Sequence, residues 1–200
     1  MKVRRFLIGS MALAVLGLAA ACGGKGSGGD PTPTPTPVVL PRGSGTFTSW
    51  TVSPARPGAV DLRELTDQNL QAIRETVERY EALRMEWECT LSLEGLPMRE
   101  VATEREIAAI EQYLAKKREE GLCEVIEASY VAYYTVLQAD RASVYAEYRG
   151  VSRFFDPATG EEAKPAEPFD HALGIELRKG DDGRWRIDRF FGIPKATQSQ

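Results

Sequence analysis

The sequence predicts an α+β fold, with N-terminal helices packed on a curved antiparallel sheet and a disordered Gly/Thr/Pro linker ahead of them. Three observations carry this. Apolar residues recur at three- and four-residue steps between about 61 and 118. From Cys123 onward the period changes to two, and near the end GDDG is a hairpin signal between alternating segments. Helices first and strands afterwards is an α+β order.

Residues 1–21 read as a secretory signal peptide. Lys2, Arg4 and Arg5 precede an apolar run from Phe6 that closes on Leu18-Ala19-Ala20-Ala21-Cys22. The run holds about 16 apolar residues, fewer than the roughly 20 needed to span hydrocarbon. The segment resembles the lipobox of bacterial lipoproteins, although Ala19 stands where leucine is favoured and Leu18 lies one place earlier. The resemblance implies a diacylglycerol on the sulfur of Cys22, cleavage before it, and a protein anchored to the cell membrane or outer membrane, facing the extracytoplasmic side.

Removing Lys2, Arg4 and Arg5 leaves 22 basic against 29 acidic residues, a net charge of −7. With no basic cluster and no phosphate-cradling glycine loop, nucleic acid is excluded as an expected partner. Membrane attachment falls to the lipid on Cys22, since stable anchoring without a polybasic patch takes two or more chains.

Residues 22–57 read as the lipidated cysteine and a flexible linker. GGKGSGGD is coil-like and PTPTPTP is a polyproline II spacer of roughly 20 Å. Within this tract TFTSWTV has strand composition and either docks as an edge strand or stays loose. The domain is assigned to 58–195, with 196–200 a disordered tail.

Asp61 with Glu64, and Thr66, are N-cap signals for one long helix carrying Leu70, Ile73, Val77, Tyr80 and Trp87. Glu75, Glu78, Arg79, Glu81 and Arg84 between them read as its solvated face. Thr103-x-x-Glu106 fits a capping box for a second helix with Ile107, Ile110 and Leu114 on one stripe, ending in Lys116, Lys117 and Arg118 before Gly121. Two long strands follow, on Ile126, Ala128, Tyr130, Ala132, Tyr134 and Val136 and then on Val144, Ala146 and Tyr148, with a turn at Ala139-Asp140. DPATGEEAKPAEP reads as a polar loop. Leu173, Ile175 and Leu177 open the closing hairpin, and Trp185, Ile187, Phe190 and Ile193 complete it.

This order of elements, with the hairpin GDDGRWRIDRFF, resembles the nuclear transport factor 2-like, or SnoaL-like, cone fold over about residues 60–194. The resemblance implies a conical pocket, used by some members for isomerase, dehydratase or hydrolase chemistry and by many for binding or dimerisation. Tyr80, Tyr130, Tyr134 and Tyr148 are the candidate pocket residues. The face of Ile126, Tyr130, Tyr134, Ala146 and Tyr148 is expected to oppose Ile73, Val77 and Tyr80, with no Asp, Glu or His inside.

No catalytic set, metal site or cofactor is expected. Asp170-His171 reads as a surface loop pair, and Asp188 as a surface ion pair opposite Trp185. With Cys22 lipidated, Cys89 and Cys123 remain as an even pair in an oxidising compartment, either disulfide-bonded or as two buried thiols. The expected function is a non-catalytic ligand-binding or assembly module, taking a small apolar ligand, an envelope protein or a second copy through the sheet. The alternative is a small lyase, isomerase or hydrolase.

Overall fold

A computed structural model of the chain describes residues 38–53 and 58–193. The signal peptide, Cys22, the spacer up to residue 37 and the tail at 196–200 lie outside the described residues. The elements are β1 (Ser44–Val52), α1 (Asp67–Thr90), α2 (Met98–Val101), α3 (Glu104–Glu120), β2 (Cys123–Leu137), β3 (Arg141–Phe155), β4 (Glu162–Lys179) and β5 (Trp185–Ile193). They form an α+β fold with one five-stranded sheet in the order β1-β2-β3-β4-β5.

The sheet is mixed rather than wholly antiparallel. β1, the TFTSWTV segment, docks as an edge strand parallel to β2, with Phe47 opposite Tyr130 and Val52 opposite Tyr134. A parallel neighbour needs a long crossover, and the three helices supply it. The folded unit therefore begins well before residue 58. All four strand pairings contain a register shift, and bulges of this kind bend and twist the strands that carry them.

Helix α1 begins where expected. Thr66 is extended and its side chain accepts from the backbone N–H of Asn69. The helix ends at Leu91, which takes a positive φ of 52°. Ile73, Val77, Tyr80 and Trp87 are buried along its inner stripe. They meet Tyr130, Val144, Ile175 and Ile187 of the sheet in one core. α3 starts at Thr103 and stops at Gly121, whose φ of 67° suits glycine. The short α2 between them is absent from the sequence reading.

Two loop expectations change. The segment read as a polar loop after Asp156 becomes strand from Glu162, despite Pro165 and Pro168. β5 pairs with β4 only from Ala172 onward, so the earlier half of β4 is an edge, where a missing N–H breaks no ladder bond on the open side. The closing hairpin forms at Gly180–Gly183, with Gly183 at φ 75° and the Gly180 N–H donating to the Arg184 carbonyl. The backbones of β2 and β3 approach closely at Gly150, where a Cβ would sit 2.0 Å from the Glu127 carbonyl oxygen.

Cys89 and Cys123 form a disulfide, Cα to Cα 4.2 Å, tying the last turn of α1 to the first residue of β2.

Candidate functional site

The inner stripe of α1 does not stay apolar. Glu81, Arg84 and Glu88 continue it at helical spacing and are 2%, 7% and 5% exposed, so two residues read as solvated face are core residues. The spacing explains it: 77, 81, 84 and 88 fall at i, i+4, i+7 and i+11, in phase with Ile73 and Val77. Glu75 and Arg79 do face solvent.

Arg84 is the centre of the resulting network. Its Nε donates to Glu81 Oε2 at 2.9 Å and its Nη2 to the Tyr130 hydroxyl at 3.0 Å. Tyr130 in turn donates to the same Glu81 oxygen at 3.0 Å. The other Glu81 oxygen is buried without a hydrogen-bond partner. Glu88 stands 3.7 Å from Arg84 Nη1 and accepts from the Tyr113 hydroxyl of α3 at 2.8 Å.

Glu106 supplies a third buried carboxylate. The capping box is only half made: the Thr103 hydroxyl accepts from the Glu106 N–H, while the Glu106 side chain turns inward instead of back to Thr103. There it accepts from the Tyr80 hydroxyl and from the Phe190 N–H, the latter at 3.1 Å. A charge-assisted bond to a buried tyrosine is stronger than a cap at an exposed helix end.

Burial raises the pKa of Glu88, against the opposing pull of Arg84 and Tyr113. Burial likewise raises Glu106, against its bonds from Tyr80 and Phe190. Tyr113 is pushed up by burial and by the adjacent Glu88, and Tyr134 is pushed up to about 12 by burial.

Two half-open cavities flank this network and share Arg84, Glu88 and Tyr113 in their walls. The first, about 300 Å³, is aromatic, with Tyr80, Trp87 and Phe190 beside Ile110 and Glu106. The second, about 320 Å³, is more polar, lined by Glu124, Tyr148, Ser152, Glu167 and His171 among others.

The four candidate tyrosines do not share one pocket. Tyr80 lines the first cavity and Tyr148 the second. Tyr130 lies behind Arg84, 1% exposed. Tyr134 donates to the Leu70 carbonyl and lines a separate cleft between β1 and α1, with Trp50 5.1 Å away.

His171 is not in a loop. It lies in β4, paired with Tyr148, and closes an aromatic row that runs Phe47, Tyr130, Tyr148, His171 across four strands. The ring centroids along that row are 4.6, 5.6 and 5.6 Å apart. Asp170, one residue earlier, pairs with Arg149 at 3.3 Å, as strand alternation requires. Asp188 is the extra residue of a bulge against β4; it forms the expected ion pair but is buried rather than at the surface, accepting from Thr103, Arg105 and Arg178. The expectation of an interior without Asp, Glu or His is overturned by Glu81, Glu88 and Glu106, whereas His171 is exposed at the mouth of the second cavity. All three sit in phase with apolar helix positions.

No protein-family model matches the chain, and no curated protein matches it. Among solved structures it is similar to the intermembrane space region of the chloroplast protein ARC6, at 14% identity over 62% of this chain and 96% of that one, with a TM-score of 0.46. At that distance the likeness carries no argument about function.

Proposed function

We propose that the chain is a lipid-anchored cell-envelope protein whose α+β domain is a ligand-binding module, its helices and bent sheet enclosing a cone-like cavity of the nuclear transport factor 2 kind. The anchor reading rests on the order of basic, apolar, small and cysteine residues ending at Cys22. The Cys89–Cys123 disulfide supports an oxidising destination. The single observation that carries the binding reading is the aromatic cavity over Tyr80, Trp87 and Phe190, apolar walls with a few placed polar groups being the usual composition of a small-molecule site.

Catalysis is the second reading, and Glu88 is what favours it: a buried carboxylate with a raised pKa beside a tyrosine hydroxyl and a guanidinium is the environment of a general acid or base. Binding is preferred because these carboxylates already accept hydrogen bonds from the protein's own groups, Glu106 at each oxygen and Glu88 from Tyr113.

Two measurements test this function. The neutral fluorophore N-phenyl-1-naphthylamine should bind the mature protein with a blue shift. Ala109→Trp, on an exposed position of α3 that lines the cavity, should abolish that binding while the far-ultraviolet spectrum is kept. Undiminished binding by Ala109→Trp would exclude this cavity. Cys22→Ala should move the protein from the detergent phase to the aqueous phase, and fatty-acid labelling that survives the change would remove the anchor assignment.

A further inference from the structure

We propose that the aromatic cavity between α1, α3 and β5 takes an organic cation, an ammonium group carried on a small aryl or alkyl body. The proposal rests on the binding reading above and names the ligand class for that site.

Charge comes first. Two buried carboxylates, Glu88 and Glu106, share the cavity wall with one buried guanidinium, Arg84, which is itself paired with Glu81 outside that wall. Nearby cations are engaged elsewhere: Lys117 with Glu120 and Glu124, Arg105 with Asp188. The cluster is therefore under-compensated, and its geometry shows where. Arg84 commits Nε to Glu81 and Nη2 to Tyr130, and only its Nη1 approaches Glu88, at 3.7 Å, beyond hydrogen-bond reach. Buried charge without a partner is costly, and a bound cation would relieve the cost.

The walls point to the same ligand class. Tyr80 packs edge-on to Trp87 at 5.2 Å and tilted against Phe190 at 5.3 Å, giving a continuous aromatic surface beside Glu88 and Glu106. The Arg84 guanidinium already lies 5.5 Å from the Phe190 ring centre, so a ring in this wall is in use as a cation acceptor. Aromatic faces with adjacent carboxylates are the arrangement that recognises ammonium groups. A volume of about 300 Å³ limits the ligand to the small end of the range for such sites. An anion could reach the Nη1 end of Arg84 but would meet Glu88 and Glu106 in the same wall, so two carboxylates oppose it against one guanidinium.

The test is isothermal calorimetry on the full mature protein in detergent, with benzyltrimethylammonium as the cation, phenylacetate as an anion of similar size, and N-phenyl-1-naphthylamine as a neutral reference. The ammonium should bind at least about tenfold more tightly than phenylacetate, a difference of about 1.4 kcal/mol. Glu88→Gln should cut the ratio of cation to anion affinity by about tenfold, a ratio that general damage to the cavity would not shift. If Glu88→Gln does not fold, Glu106→Gln carries the same readout. Equal or tighter binding of phenylacetate, or an unchanged ratio in the variant, overturns the cation assignment alone. If the neutral reference does not bind either, the binding reading of the cavity falls with it.

Discussion

Glu88 is 5% exposed, beside the Tyr113 hydroxyl and the Arg84 guanidinium. Burial holds its carboxyl, and that of Glu106, above the ordinary glutamate range, so the folded chain binds these protons more tightly than the unfolded chain does. The stability this contributes is complete below the unfolded value and is lost as pH rises through the folded one. Thermal melts of wild type and Glu88→Gln from about pH 4.5 to 7.5 should therefore diverge, the variant gaining on the wild type as pH rises. A difference that stays constant over that range would mean that burial does not raise the proton affinity of Glu88. At this scale the sequence was only half legible. Ile73, Val77, Tyr80 and Trp87 could be read because periodicity weighs apolar residues. Glu81 and Arg84 share the same phase and were assigned to solvent because charge outweighed position. What reverses that assignment is a compensation made far along the chain, by Tyr130 on β2 and Tyr113 on α3, and helix spacing contains no trace of it.

Among the elements, the joint between α1 and β2 is the most constrained. The Cys89–Cys123 bridge spans 34 residues of sequence and places Glu88 and Glu124, the neighbours of the two cysteines, in the wall of one cavity. Replacing both cysteines by serine should cost about 3–4 kcal/mol in the chain-entropy view and should loosen that wall. A denaturant titration checks the first effect, and a midpoint unchanged from wild type would show that the bridge adds nothing. This joint was readable from cysteine count and expected compartment. The start of β4 was not. Proline and acidic residues in 162–168 signal a loop wherever neighbours on both sides must be hydrogen-bonded, and here only β3 is alongside. β1 was left open for a different reason. Its composition is strand-like, but nothing within it selects a parallel partner across the three helices.

For the molecule as a whole, the order of assembly follows from the same topology. The Thr48 hydroxyl donates to the Tyr130 carbonyl across 82 residues of sequence, and every pairing of β1 with β2 is of that kind. The hairpins β2–β3, β3–β4 and β4–β5 close far shorter loops, so they form first and β1 docks late. Contacts made after the transition state act on unfolding rather than folding. Changing Phe47 and Trp50 together to serine should thus speed unfolding and leave the folding limb of a stopped-flow chevron in place, and a slowed folding limb would put β1 in the nucleus instead. A ribosome releases β1 long before its partner strand exists. During that interval the strand is a naked edge, able to pair with any neighbour. Only Phe47 and Trp50 of its nine residues become even half-buried, and serine, threonine and glycine fill most of the rest, so the waiting segment offers other chains little apolar surface on which to nucleate aggregation.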